Sequence, residues 1–257
     1  MSTAAIEERP WAVVTGGAGD IGRAIARHLA KHSGYRVLVC DVLAQDEGDA
    51  LTQALAADAR VDPGTFGYRR ADVRVQHELV DALSDLAPLD LVVANAGIVD
   101  SAPFLEISEE SWRAQLDINL CGAFNTAQAA ARSMVQQNGG QIVFISSWVA
   151  QRPWPEITAY ATTKAGIEAL ARQLAMELAP HGVRANVVAP GIVAAGMAKQ
   201  QMLTEPQYAE RASRAIPLGR FQQPDDVAAV VGFLASSGGD YFTGATLLAD
   251  GGSSVGS

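Results

Sequence analysis

Tyr160 and Lys164 lie four positions apart in the run Tyr160-Ala161-Thr162-Thr163-Lys164. On a helix, residues i and i+4 share a face, so the ammonium can sit beside the phenol. An isolated tyrosine, with a pKa of about 10, is a poor base at neutral pH, and a neighbouring cation favours its phenolate. Such a pair can deliver a proton to an oxygen and take it back. Ser147 precedes Tyr160 by thirteen residues and sits just past a strand-like run, Gln141–Ser146. A strand end and a helix beginning near Thr158 can bring a hydroxyl and a phenol to one carbonyl oxygen and polarise it together. Taken singly, Ser147 also suits a turn and Tyr160 an amphipathic helix wall. Their joint placement points to chemistry.

A second cluster lies near the N-terminus. The apolar run Trp11–Thr15 leads into Thr15-Gly16-Gly17-Ala18-Gly19-Asp20-Ile21-Gly22, and the helical stripe Ile21, Ile25, Leu29 follows. Glycines permit a tight turn and a close backbone approach to a pyrophosphate, while the helix N-terminus offers free N–H groups and a positive dipole end. Nineteen residues beyond Gly22, a second apolar run ends at Cys40-Asp41. An acidic side chain there can accept hydrogen bonds from the adenosine ribose and repels a 2′-phosphate. No Arg or Lys stands within the turn or directly after Asp41. The cofactor expected is therefore NAD, held by the turn at Gly16, Asp20, Ile21 and Gly22 and by Asp41.

These residues need a scaffold. Trp11–Thr15, Tyr35–Cys40, Leu89–Ala94, Gln141–Ser146, Arg184–Ala189 and Ala245–Ala249 read as strands. They are rich in Val, Ile and Leu without strict alternation, as suits a parallel sheet buried on both faces. Helical patterns lie between them: the stripe from Ile21, then about Gln76–Leu86, Glu109–Gln137, Thr158–Ala179 and Asp225–Ala235. Alternating strands and helices predict right-handed crossovers with helices on both faces. The chain reads as a single α/β domain over residues 1–257, a doubly wound parallel sheet of the Rossmann kind. Residues 194–215 break the rhythm: the segment is polar, carries Pro206, and bears charges at Lys199, Glu205, Glu210, Arg211 and Arg214. It reads either as a helical surface insertion or as a mobile lid over a pocket.

Composition narrows the function. The 257 residues are 49% hydrophobic and 18% charged, a globular balance that excludes a disordered or collagen-like chain. Nineteen basic residues against 28 acidic ones give a net charge of −9, and only three of the basic residues are lysines, which argues against nucleic acid as a partner. Cys40 and Cys121 form neither a zinc spacing nor a disulfide framework, and a reducing cytoplasm is the expected compartment. His28, His32, His77 and His181 lack metal-ligand spacing, so no metal is expected. The start, MSTAAIEERP, has no apolar run to read as a signal peptide, and no stretch suits a membrane span.

From about Trp11 to Gly252 the chain resembles the short-chain dehydrogenases/reductases. The glycine turn, Asp72-Val73, Asn95-Ala96-Gly97, Asn119, Ser147, Tyr160/Lys164, Arg184-x-Asn186, Pro190-Gly191, Thr243-Gly244 and Asp250-Gly251-Gly252 occur in that family's order. The resemblance implies that Tyr160 is the general acid/base, and that Lys164 lowers its pKa and holds the nicotinamide ribose. It implies that Ser147 bonds the substrate oxygen and that Asn119 anchors a water relaying the proton outward. Asp72 and Val73 would flank the adenine, Asn95, Ala96 and Gly97 would line the cofactor, and Pro190-Gly191 would lie against the nicotinamide. Two positions depart from the pattern. Asp20 stands where the family usually has a glycine, and a carboxylate near a pyrophosphate should cost affinity unless it points away or caps the helix. Ala195 stands where a threonine often bonds the carboxamide, which leaves nicotinamide positioning to backbone groups such as those of Val193.

The activity expected from residues and resemblance together is NAD(H)-dependent hydride transfer between a secondary alcohol and its ketone. The expected pocket, of Ile98, Val99, Trp148, Val149, Trp154, Ile192, Val193, Met197 and Met202, is apolar, which favours cyclic or medium-chain secondary alcohols over sugars. One alternative is an NADP-dependent 3-oxoacyl-acyl-carrier-protein reductase. Arginines expected to receive an acidic carrier are replaced here by Asn138 and His181, and the net charge would repel one. The other alternative is a non-catalytic NAD-binding protein on the same scaffold. The resemblance also implies a homotetramer built through Glu109–Gln137, Thr158–Ala179 and the C-terminal region, with Ala127, Ala129, Ala130 and Ala131 allowing helices to approach closely.

Overall fold

The computed structural model describes residues 6–204 and 206–255; the side chains of Met197 and Pro206 are also outside the description. Glu205, counted above among the charges of the polar segment, therefore lies outside the described residues, as do the first five residues of the chain.

Seven strands form one all-parallel sheet in the order β3-β2-β1-β4-β5-β6-β7. They are β1 (Trp11–Thr15), β2 (Arg36–Asp41), β3 (Phe66–Arg70), β4 (Leu89–Ala94), β5 (Gly140–Ile145), β6 (Val183–Pro190) and β7 (Thr246–Ala249). The nine α-helices of seven residues or more, among those described, are α1 (Asp20–His32), α2 (Gln45–Ala59), α3 (Gln76–Leu83), α4 (Glu109–Gln115), α5 (Gly122–Gln136), α6 (Thr158–Leu178), α7 (Gly196–Thr204), α8 (Pro206–Arg214) and α9 (Pro224–Leu234). Alternate residues of each strand feed the two faces. Ala12, Val14, Val143 and Ile145 pack with α1, α2 and α9, whereas Val13, Ile142 and Phe144 pack with α3, α5 and α6. The order of strand addition reverses between β1 and β4, and that switch point opens a crevice at the strands' carboxyl ends.

Three differences from the sequence reading bear on the site. β3 is a strand that apolar patterning does not predict, because Phe-Gly-Tyr-Arg-Arg is short and polar, as an edge strand can be. α2 is likewise not predicted by the pattern, since its apolar residues (Leu51, Leu55, Ala56, Ala59) form a narrow stripe in an acidic, alanine-rich run. The long helix expected over Glu109–Gln137 is broken: Leu116–Cys121 is a π-helical turn between α4 and α5, and Asn119 lies within it. π-bulges of this kind often mark functional positions. The alanines assigned to helix association, Ala127, Ala129 and Ala130, are buried in the protomer's own core.

Candidate active site

A cavity of about 780 Å³ runs along the carboxyl ends of the strands. Its first half is built by the glycine turn. Gly16 has φ +61°, and a Cβ there would lie 2.6 Å from the Cα of Ala96. A Cβ on Gly22 would lie 2.3 Å from the Gly16 carbonyl oxygen, so the turn and the first turn of α1 can close only on glycine. Asn95 locks this turn to β4: its Nδ2 donates to the carbonyls of Thr15 at 3.1 Å and Gly16 at 2.9 Å.

Asp41 ends β2 at the cavity wall. Its carboxylate accepts the Ala18 N–H at 2.9 Å and the Val42 N–H at 2.8 Å, which fixes it against the glycine turn. Tyr68 of β3 buttresses the same strand end, its hydroxyl within hydrogen-bond reach of the Asp41 carbonyl at 3.0 Å and the Leu43 carbonyl at 2.8 Å. Asp72 and Val73 line the cavity beyond. The Asp72 carboxyl is held below its ordinary pKa by hydrogen bonds from Arg74. Asp20 does not cap α1: the N-cap is Gly19, and the Asp20 carboxylate instead accepts the N–H of Gly196 at 3.0 Å. Ile21, Asn95, Ala96, Gly97, Pro190, Gly191 and Val193 also line the cavity. A glycine cradle that a Cβ would fill and an acidic residue at the second strand's end fit a dinucleotide along this crevice.

The second half gathers the residues suited to proton chemistry. Ser147, two residues past the end of β5, is buried; Tyr160 and Lys164, on the first turns of α6, face the same space. The Lys164 Nζ donates to the Ile145 carbonyl at 2.8 Å and lies 5.3 Å from the Tyr160 ring centroid. Burial lowers the Lys164 pKa to about 8 and raises that of Tyr160 to about 12, with the Ser147 hydrogen bond to the phenol opposing the rise. Desolvation thus outweighs any pull of the cation on the phenol in this arrangement. Asn119 is fully buried just behind the cavity wall. Its Oδ1 accepts the Ile98 N–H at 2.8 Å, and its Nδ2 donates to the Ile98 carbonyl at 2.9 Å and to Thr163 Oγ1 at 3.2 Å. It therefore ties the exit of β4 to α6, one residue from Lys164. A Cβ on Gly97 would meet Asn119 Oδ1 at 3.3 Å and Lys164 Nζ at 3.6 Å, so the Asn95–Gly97 run also reaches this cluster. The arrangement can hold a carbonyl or carbinol oxygen between a hydroxyl and a phenol, with an ammonium close by.

The remaining wall corrects one expectation. Ile98, Val99, Trp148, Val149, Trp154, Ile192 and Val193 line the cavity as expected, but Met202 packs instead with Trp148, Ala212 and Ile216 in a small satellite core. The Met197 side chain lies outside the described residues. The wall is mostly apolar, as expected, but Glu156, Gln201, Tyr208 and Arg211 also belong to it. The signal for the last two was available, since positions i and i+3 of a helix share a face.

A family model described as enoyl-(acyl carrier protein) reductase matches residues 16–254. The L-rhamnose 1-dehydrogenase (NAD(P)(+)) of Azotobacter vinelandii is 39% identical over 245 residues, covering 93% of this chain and 94% of that protein. The 3-oxoacyl-[acyl-carrier-protein] reductase of Staphylococcus aureus is 36% identical over 249 residues, covering 94% and 96%. Among solved structures, an oxidoreductase of the short-chain dehydrogenase/reductase family from Burkholderia thailandensis matches with a TM-score of 0.84 at 34% identity, covering 95% and 92%. On near-complete coverage by sequence, fold and family model alike, the chain belongs to the short-chain dehydrogenase/reductase family of oxidoreductases.

Proposed function

We propose that the protein is an NAD(H)-dependent oxidoreductase acting on a secondary alcohol or its ketone. The observation that carries this reading is the convergence of Ser147, Tyr160 and Lys164 in one cavity with the glycine turn and Asp41. A nicotinamide dinucleotide, when bound, supplies or accepts the hydride. Tyr160 takes the carbinol proton during oxidation and returns it during reduction. Ser147 holds the same oxygen by its hydroxyl. Lys164 holds the nicotinamide ribose, and its ammonium opposes the cost of a transient phenolate. Asn119 orders the backbone on which a proton-relaying water would rest.

Asp41 supports NAD over NADP, because a 2′-phosphate beside its carboxylate would meet like charge. Arg23, beside the glycine turn, and Arg74, beside Asp72, are already engaged: Arg23 donates to the Ala18 carbonyl at 2.6 Å and Arg74 pairs with Asp72 at 2.6 Å. Arg70 stands in register with Asp41 but lines a separate shallow groove. The polar segment that forms α7 and α8 acts as a lid in this reading, since it follows Pro190-Gly191 directly.

The reading includes a cytoplasmic homotetramer. β7 is an edge strand, and Phe233, Tyr241, Phe242 and Leu248 beside it are exposed, a patch suited to a second copy. A carrier-linked 3-oxoacyl reductase is the second reading, favoured by the 36% identical relative and opposed by Asn138, His181 and the net charge of −9. A non-catalytic role has no lost residue to support it. The test is the near-ultraviolet absorbance of the reduced cofactor with NAD or NADP, across alcohols, polyols and hydroxyacyl thioesters. Turnover of an alcohol with NAD supports the proposal. Turnover confined to thioesters with NADP overturns it.

A further inference from the structure

The substrate end of the cavity contains an arginine without an acidic partner among the described residues. α8 carries Tyr208 and Arg211 to the cavity wall opposite Trp154, which lies on the connection between β5 and α6. The Arg211 guanidinium carbon stands 5.0 Å from the Trp154 ring centroid and 5.9 Å from that of Tyr208. Trp154 is itself braced edge-on by buried Trp148, with ring centroids 5.3 Å apart. A guanidinium stacked over a ring uses its flat face and keeps its N–H edge for a planar, bidentate anion.

Seven arginines pair with carboxylates among the described residues. Arg214, on the same helix, pairs with Glu210 at 2.5 Å; Arg220 pairs with Asp226 at 2.6 Å and Arg27 with Asp225 at 2.5 Å. Arg211 instead lines the space that holds Ser147 and Tyr160. Glu156 lines it too, in a left-handed backbone conformation with φ +66° that is uncommon for a residue other than glycine. Its carboxylate accepts hydrogen bonds but repels an anion, so it suits a hydroxyl and leaves an anionic group to Arg211.

We propose that Arg211 receives a substrate carboxylate, so that the substrate class is hydroxylated carboxylic acids and their keto forms. The proposal rests on the reading of Ser147 and Tyr160 as the reacting end. The carbinol gives its proton to Tyr160 and its hydride to the oxidised cofactor, while the carboxylate stays on Arg211 and is unchanged.

The experiment uses the full-length protein, wild type, R211M, R211K and, as a control outside the cavity, R220M. Matched acids and neutral alcohols are compared: gluconate with glucitol, and 3-hydroxybutyrate with 1,3-butanediol. The wild type favours the acid of a pair in kcat/KM, and R211M lowers the acid-to-neutral ratio by about 100-fold, mostly through KM, as expected for a lost charge-assisted hydrogen bond. R211K recovers part of the ratio and R220M leaves it unchanged. Calorimetry with succinate, which has no oxidisable hydroxyl, gives a second readout: binding to the NADH complex weakens about tenfold or more in R211M. NADH affinity itself is the same in both proteins.

Turnover of neutral alcohols as good as that of acids, with the ratio unmoved by R211M, overturns the Arg211 proposal and leaves the dehydrogenase reading standing. An equal loss of NADH affinity in R211M assigns the arginine to the dinucleotide and also overturns it. If no compound of either class is turned over, the dehydrogenase reading fails. Succinate binding then still decides the arginine: loss in R211M supports the carboxylate site, and equal binding in both proteins overturns it.

Discussion

The Asp20 carboxylate, in the first turn of α1, accepts the N–H of Gly196, the first residue of α7, at 3.0 Å across the cavity mouth. Both residues line that cavity. Asp20 therefore links the glycine turn to the start of α7, at a position where the family pattern usually has glycine. The carboxylate also places negative charge where a pyrophosphate would pass, and like charges at short range repel even when partly solvated. D20G is expected to bind NADH about three- to tenfold more tightly by calorimetry while loosening α7 in the free protein. Weaker NADH binding by D20G would show that the carboxylate helps to hold the cofactor.

Cofactor choice should turn on Asp41. The wild type is expected to use NAD in preference to NADP. Asp41→Ser combined with Val42→Arg removes a repulsive charge and adds a phosphate partner, and should shift the kcat/KM ratio towards NADP by about 100-fold. Equal or better NADP turnover by the wild type refutes the assignment.

Tyr160→Phe separates proton transfer from dinucleotide binding. The phenol acts on a proton, so turnover should fall by about a thousandfold, within the range for loss of a general acid/base. NADH affinity should stay within about twofold, as the hydroxyl is a small part of the dinucleotide contact surface. Retention of a tenth of the wild-type rate would mean that another group moves the proton.

Much of this site was legible because its parts are tied to strong local signals. The glycine turn, the ends of β1, β2, β4 and β5, and the Tyr160/Lys164 spacing follow from apolar runs and helical periodicity. What escaped reading depends on tertiary placement. β3 carries too little apolar character to stand out, yet it supplies Tyr68, which supports Asp41, and Arg70, which pairs in register with it. The π-helical turn around Asn119 has no signature in a single sequence, and the Asn119 contacts with Ile98 and Thr163 are made between residues far apart in the chain. Arg211 looked like one charge among several on a polar segment. Only the folded chain brings it to Trp154.

Lys164 should cost stability. Burial without an acidic partner lowers its pKa from 10.5 to about 8, and the folded state bears that penalty wherever the lysine is charged. Below pH 8 both folded and unfolded forms hold the proton, and the penalty is complete. Between pH 8 and 10.5 the folded protein sheds the proton first, the unfolded chain binds more protons, and wild-type stability gains as pH rises. Lys164→Met removes the charge but leaves the Ile145 carbonyl without its donor. The variant is expected to be more stable than wild type at pH 7 by about 2 kcal/mol, with the advantage shrinking towards pH 10. Tyr160 does not confuse the comparison, because its raised pKa favours folding below pH 10 and loses that contribution only towards pH 12 in both proteins. Urea denaturation at pH 7 and 9.5 checks the difference. A variant less stable at both values would mean that the ammonium is stabilised by more than its bond to Ile145.

The lid should order in two unequal parts. Ala212 and Ile216 are buried against Trp148, Val149 and Ile192, with Tyr208 and Ala215 packed beside them, so α8 is anchored by its own small core. α7 has less: Ala198 and Met202 reach the satellite core, and Gly196 is held to Asp20 by one exposed hydrogen bond. Low apolar burial means a low opening free energy, so α7 should exchange its amide hydrogens faster than α8 in the free protein. Ala195 offers no hydroxyl to a carboxamide, and NAD alone should therefore protect α7 only modestly. An acid held by Arg211, on the already anchored α8, would give α7 a ligand to close over and exclude water from the hydride step. Hydrogen exchange followed by mass spectrometry should show protection in residues 196–204 rising with NAD and rising further with a bound hydroxy acid. Over residues 212–216 it should show protection already high in the free protein. Equal protection of residues 196–204 in free protein and ternary complex would make the segment a fixed surface helix, with Asp20 a permanent tether and no gate.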